Sequence, residues 1–203
     1  PATPYFTVIG SPGSSTAPDT LFGKGRYFLP SAFFSDSLLL GILFEAGASR
    51  AVRLDLRVQP PRVEPLSNGA ATYAALSPDG RWLAYLSSSV GGFEVYLEQF
   101  QSGARRYHVS PNGGLDPLWR GPGRLVFRSG FSWYEVSVNS TGGEPVSEPR
   151  LIFSDPRFID TYYRSNTLMP DGSMVYVRGG GRGTGAFLRV IPRFTAELRR
   201  RVR

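Results

Sequence analysis

The residues best suited to chemistry lie in one stretch, Ser154 to Asn166. Within it Asp155, Arg157, Asp160, Tyr162, Tyr163 and Arg164 mix carboxylates, guanidiniums and phenols. That mixture suits gripping a peptide or a carbohydrate, because aromatic and arginine side chains dominate recognition surfaces. Asp116 belongs with them, since it occupies the equivalent loop one repeat earlier, on the same expected face. The same stretch also suits a plain surface loop, with Tyr162 and Tyr163 packed on neighbouring strands and the charges solvated.

Other chemistry is largely excluded. His108 is the only histidine, so histidine-rich metal sites cannot form and any catalytic triad would have to use it. Its setting, Arg106-Tyr107-His108-Val109-Ser110, reads as a polar residue on a strand. Cysteine is absent, which removes disulfides and thiolate ligands. No Gly-x-Ser-x-Gly occurs, so there is no nucleophile elbow. The run Gly179 to Gly185 lacks the Gly-Lys-Ser/Thr ending of a phosphate loop, and no helical pattern follows it. It reads as a hairpin loop. Asp79 and Asp171 are turn residues too far apart to pair as acid and base. Asn139-Ser140-Thr141 fits a glycosylation sequon, but so short a pattern arises often by chance. The expectation is a non-enzyme with no cofactor and no metal.

Charge does not redirect this reading. The chain carries a formal +7, with 22 arginines against the single Lys24. So skewed a basic set reflects a GC-rich coding sequence more simply than a phosphate-binding surface. The arginines are scattered, with one dense run at Arg199-Arg200-Arg201, and nucleic acid is not the expected partner. The longest apolar run, Leu38 to Phe44, is too short to span a bilayer, so no membrane insertion is expected. The chain starts at Pro1 without methionine, which suggests a piece of a longer protein with any targeting segment upstream.

The elements that position these residues repeat. The most complete unit is Leu76-Ser77-Pro78-Asp79-Gly80-Arg81, a tight turn that feeds Trp82-Leu83-Ala84-Tyr85-Leu86. Pro78 presets φ, Asp79 suits the next position, and Gly80 supplies the positive φ needed to re-enter a strand. Trp82, Ala84 and Leu86 point one way, Leu83 and Tyr85 the other, so both faces of this strand should be buried. Weaker copies stand at Phe34-Ser35-Asp36-Ser37, Trp119 to Gly123 and Leu168 to Gly172, with steps of 42, 43 and 49 residues. Ser67, Ser110 and Ser154 each close a strand, at spacings of 43 and 44. A period of about 40–45 residues marks propeller blades of four strands.

The second unit divides into strand a (72–76), strand b (81–86), a Gly-rich loop (87–92), strand c (93–100) and strand d (105–109). Strand c recurs at 51–56, 134–138 and 187–190. The expected fold is therefore all-β: a β-propeller with about four blades of four antiparallel strands, part of a six-bladed or larger ring. Approximate blade limits are 26–67, 68–110, 111–154 and 155–193. Residues 1–25, with one possible strand at Tyr5–Ile9, read as the end of a preceding blade. Residues 194–203 read as a short basic helix pairing Leu198 with Val202.

Ser77-Pro78-Asp79-Gly80-Arg81 followed by Trp82-Leu83-Ala84-Tyr85 resembles the repeat of TolB-like, WD-repeat-like propellers; Met169-Pro170-Asp171-Gly172 lacks only the serine. The copies at Trp119 and Ser35 depart from the pattern. A narrower resemblance rests on Glu94-Val95-Tyr96, Gly113-Gly114, Pro117-Leu118-Trp119, Phe127-Arg128-Ser129-Gly130 and Pro149-Arg150-Leu151-Ile152-Phe153. That order is similar to propellers fused behind bacterial serine/threonine kinase domains. These resemblances imply a sensor or interaction module that takes a protein, peptide or small ligand, in a periplasmic or otherwise extracytoplasmic compartment. A kinase domain upstream in the same chain is one context they imply. The propeller cap of a prolyl-oligopeptidase-like hydrolase, with its catalytic domain elsewhere, is the alternative.

An open arc of blades would leave apolar blade faces unpaired, so residues 1–203 expressed alone should aggregate. Size-exclusion chromatography with a thermal melt checks this; a monomeric, cooperatively melting sample would refute it.

Overall fold

The computed structural model describes residues 8–9, 19–23, 25–66, 72–89, 92–100, 105–139, 144–159, 166–169, 171–179 and 186–191. Every regular element among them is a strand. A small antiparallel pair comes first, β1 (Val8–Ile9) with β2 (Asp19–Thr20). The first blade is β3 (Arg26–Ser35), β4 (Leu38–Glu45), β5 (Ala48–Asp55) and β6 (Arg62–Pro65). The second is β7 (Thr72–Leu76), β8 (Trp82–Ser89), β9 (Gly92–Gln99) and β10 (Arg106–His108). The third is β11 (Leu115–Trp119), β12 (Arg124–Ser129), β13 (Ser132–Ser137) and β14 (Arg150–Ser154). The fourth shows β15 (Asn166–Leu168), β16 (Met174–Gly179) and β17 (Ala186–Ile191).

Each sheet is an antiparallel meander in chain order. Successive sheets stack face to face through apolar clusters. Trp82, Ala84 and Leu86 of β8 pack with Leu125, Phe127, Val136 and Val138 of the third blade. Leu83 and Tyr85, on the other face of β8, pack with Ala51 of the first blade. The two-sided burial read from the alternation is what the fold uses. Leu118, Val126, Trp133 and Ile152 of the third blade meet Met174 and Tyr176 of the fourth. Leu21 and Phe22, following β2, are buried against Phe28, Leu43 and Leu54 of the first blade. Each large side chain so covered contributes about 1.5–3 kcal/mol over leaving it in water.

The first strands of the blades neighbour one another in order. β7 touches both β3 and β11, and β11 touches β15. This is a propeller, with β3, β7, β11 and β15 as its inner strands. Trp119 Nε1 donates to the Ala75 carbonyl at 2.9 Å, joining two inner strands directly.

Two of the inner strands, β7 and β11, share an irregularity. In β7 the register shifts between Thr72 and Ala75, and in β11 between Leu115 and Leu118, so two residues oppose one on the next strand. Tyr73 and Asp116 occupy the same place in these bulges, with φ of 51° and 54°. A β-bulge re-aims a side chain and increases local twist.

The turn at Ser77 is held from within. Ser77 Oγ accepts from the backbone N–H groups of Arg81 at 3.1 Å and Trp82 at 2.9 Å, and Gly80 N donates to the Ser77 carbonyl at 2.8 Å. Gly80 has φ 70°, the conformation its position in the turn required. One expectation changes. The stretch read as a loop over 87–92 is mostly strand, because Ser87, Ser88 and Ser89 pair with Glu94, Phe93 and Gly92. Ser87 is half-buried and Ser88 exposed, so the ladder continues there without an apolar core to fill. The C-terminal helix expected over 194–203 lies outside the described residues, as does most of the strand expected at Tyr5–Ile9.

Ser77 is buried, at 3% exposure, and its hydroxyl serves two backbone donors. Ser77→Ala should therefore cost about 1–3 kcal/mol, the desolvation cost of buried donors left unpaired. Urea denaturation checks the loss.

Candidate functional site

Two faces flank the blades. The hairpins between second and third strands, and the connections from one blade to the next, lie together on one of them. Gly114 N donates to the Phe93 carbonyl at 2.9 Å, and Asp155 N to the Phe131 carbonyl at 3.0 Å, tying each connection to a hairpin. The candidate residues Asp116 and Asp155 belong to this face.

Asp116 is buried, and its Oδ2 accepts from Arg128 Nε at 3.0 Å and from Asn166 Nδ2 at 2.9 Å. The bulge in β11 aims the carboxylate across to the fourth blade, where Asn166 opens β15. Arg128 also donates from Nη1 to the Gly130 carbonyl at 2.8 Å, and its guanidinium lies 4.6 Å from the centre of the Phe158 ring. Asn166 Oδ1 is buried with no hydrogen-bond partner among the described residues.

Asp155 forms a second node. Its Oδ2 accepts from the Tyr176 hydroxyl at 2.8 Å and its Oδ1 from the Arg157 N–H at 3.0 Å. Arg178 Nε stands 2.9 Å from Oδ2, an ion pair without a well-aligned hydrogen bond. The Phe158 N–H donates to the Asp155 carbonyl at 2.9 Å, closing a turn that buries Phe158. Arg157 keeps its side chain more than half exposed, 4.0 Å from Asp155 Oδ1. Asp160, Tyr162, Tyr163 and Arg164 lie outside the described residues.

The structure thus brings Asp116 and Asp155 to adjoining nodes of the interface between blades three and four, linked through Phe158. Arg128, Asn166, Phe158, Tyr176 and Arg178 complete these nodes and were not singled out from the sequence. Arg128 had a visible signal, a charge ending the otherwise apolar Leu125-Val126-Phe127. Asn166 had none, because its partner is 50 positions away.

Both carboxylates are engaged by donors, Asp116 through Oδ2 and Asp155 through both oxygens. Among the described residues, no group of three or more acidic or histidine side chains is arranged to hold a metal. His108 stacks on Tyr96 at 4.9 Å, with Nε2 3.4 Å from Glu94 Oε2, at the outer edge of the second blade. Asp79 and Asp171 serve their own turns, accepting from the N–H groups of Arg81 and Ser173. What the face does expose is aromatic: Phe93 at 47% and Phe131 at 53%, on corresponding hairpins of adjacent blades.

Two further carboxylates are buried, Glu98 in the second blade and Glu135 in the third, each with partners from its own blade. Burial would raise Glu135, but hydrogen bonds from Arg150 and Arg120, with the nearby Arg124 charge, hold its carboxyl below the usual glutamate range. Burial does raise Glu98, against a hydrogen bond from Tyr85 and the Arg106 charge.

No family model matches the chain, and no curated protein matches it. Two solved structures are similar in fold. A puromycin-hydrolyzing peptidase of Mycobacterium tuberculosis superposes with a TM-score of 0.67 at 18% identity, over 88% of this chain and 32% of the peptidase. TolB from Acinetobacter baumannii gives 0.58 at 18% identity, over 87% of this chain and 43% of TolB. The chain therefore spans less than half the length of either. The β-propeller fold expected from the repeats is the shared feature. No helix of the described residues is long and apolar enough to cross a membrane.

The two glutamates predict opposite pH responses. Glu135 is depressed on folding, so its contribution is complete above the unfolded value near 4.5 and is lost as pH falls toward the folded one. Glu98 is raised, so its contribution is complete below the unfolded value and lost as pH rises. At pH 7, Glu135→Gln should lower the melting temperature and Glu98→Gln should raise it. Both differences from the parent should shrink at pH 4, and melts across that range check the pair.

Proposed function

We propose that this chain is a non-catalytic propeller module that binds a protein or peptide segment. The segment lies on the face built by the hairpins and interblade connections of blades two to four. The supporting observation is the pair of exposed phenylalanines, Phe93 and Phe131, beside the polar floor of Asp116, Arg128 and Asn166. Exposed aromatic anchors beside a buried, hydrogen-bonded polar base are what a peptide-binding face offers. Arg157, anchored through its backbone to Asp155, supplies an exposed cation at the rim. The setting is a longer bacterial protein, with a kinase domain upstream or a TolB-like scaffold as its frame.

A second reading, the propeller of a serine hydrolase, is favoured by the likeness to the puromycin-hydrolyzing peptidase. The adjoining coding sequence separates the settings. A Gly-x-Ser-x-Gly motif in frame carries the hydrolase, and a Gly-rich loop with His-Arg-Asp carries the kinase.

Selection of random displayed peptides on the tethered chain tests the binding face. Enriched peptides should lose at least about tenfold in affinity when Phe93 and Phe131 are both changed to alanine, as expected for anchor residues. The melting temperature should hold. Failure to enrich any peptide, or enrichment indifferent to both substitutions, rejects the reading.

A further inference from the structure

The opposite face carries a different arrangement. There the turn from first to second strand in the third blade holds Arg120 and leads into Arg124 at the start of β12. Arg150 begins β14. All three converge on Glu135 of β13. Arg120 Nη1 lies 2.7 Å from Glu135 Oε2, while Arg124 Nη1 and Arg150 Nη2 each lie 3.0 Å from Oε1. Glu135 has a side-chain exposure of 4% and Arg120 of 11%, but Arg124 and Arg150 stand at 56% and 57%.

Three features follow from that geometry. First, one carboxylate serves three guanidiniums, so the group keeps an excess of positive charge. Second, Arg124 and Arg150 share a single oxygen, which holds their contacting nitrogens no more than about 6 Å apart. Third, each spends one nitrogen on Glu135 and turns the rest of its donor fork toward water, with no second acidic partner among the described residues. Glu135 offsets only one of the three positive charges, so the exposed pair still attracts a second anion. Because the buried carboxylate fixes both arginines beforehand, little side-chain freedom is left to lose on binding.

We propose that Arg124 and Arg150, braced by Glu135 and Arg120, form an anion-binding site for a carboxylate-bearing acidic segment of a partner protein. A guanidinium fork matches a carboxylate in plane and spacing, and two forks grip one carboxylate or two neighbouring ones. An acidic peptide fits better than a nucleic acid. The cluster is a point site, and the turns beside it on this face carry Asp79 and Asp171, which would repel a continuous phosphate track. Met169, exposed at 46% on the corresponding turn of the fourth blade, adds an apolar contact for a residue next to the acidic group. This site stands apart from the aromatic face proposed above and does not depend on it.

The test uses the 203-residue chain tethered to a sensor surface at low density, so that copies cannot associate, with a hexaglutamate peptide as analyte and inorganic phosphate as competitor. Changing Arg124 and Arg150 together to glutamine should weaken peptide binding about tenfold or more, the scale of lost charge-assisted hydrogen bonds. Changing Arg57 and Arg62 to glutamine, an equal loss of charge on the first blade, should leave it nearly unchanged. Arg150→Gln alone, on an exposed side chain, should give a partial loss even if the double variant folds poorly. Millimolar phosphate should compete with the peptide for the parent and not for the double variant. Equal losses in both double variants would reduce the effect to net charge and overturn the proposal. So would absence of peptide binding, or tighter binding of a random DNA duplex than of the peptide.

Discussion

Everything in this molecule depends on burying both faces of each blade. A four-stranded meander with water on one side can alternate apolar and polar residues. The strands here do not. Leu83 and Tyr85 are as thoroughly buried as Trp82, Ala84 and Leu86, and Val126 is as buried as Leu125 and Phe127. Such a sheet gains its stability only when another sheet lies on each side. The four blades are thus less four units than one stack, in which the energetic unit is the interface between neighbours.

Close stacking constrains the inner strands most, because blades converge there and side chains have little room. The bulges in β7 and β11 answer that constraint, adding twist at the point of convergence. Their cost is Tyr73 and Asp116 in left-handed backbone, roughly 1–3 kcal/mol for each such residue. At Asp116 the gain is specific. The re-aimed carboxylate leaves its own blade and takes hydrogen bonds from Arg128 and, across the interface, from Asn166. A strained backbone is thereby turned into a polar bolt between blades. Trp119, at the other end of β11, ties the third blade to the second, with its indole N–H on the carbonyl of Ala75.

The repeat was legible because its causes are local. A turn of Ser77-Pro78-Asp79-Gly80 and a strand alternating large apolar groups on two faces can each be read within ten residues. The bulges were not legible, since a two-against-one register is a property of a pair of strands and leaves no fixed residue signature. The same limit applied to the site. Asp116 and Asp155 drew attention as acids on connecting loops, but their partners Asn166 and Tyr176 sit 50 and 21 positions away. Spacing within one segment cannot show which residue of the next blade will answer. The extension of β8 through Ser87–Ser89 was misread for a related reason, because composition suggested a loop where pairing with β9 decided the outcome.

Buried charge shows how one architecture sets different roles for the same residue type. Glu135 and Glu98 are both third-strand glutamates, buried to similar degrees. Glu98 meets a phenol at 3.2 Å and one arginine that also stacks on Tyr96, so burial prevails and its proton is held more tightly. Glu135 meets three guanidiniums, so the opposite holds and the carboxylate stays charged. Removing a carboxylate that three cations share leaves those cations uncompensated, which costs more than the attraction itself supplied. Glu135 is therefore structural in the strict sense, yet it also fixes the spacing of two exposed arginines. The blade keeps its core apolar in the middle and places its polar groups at the two ends of each interface. Those ends also face outward, so residues that lock the stack help to present its surface.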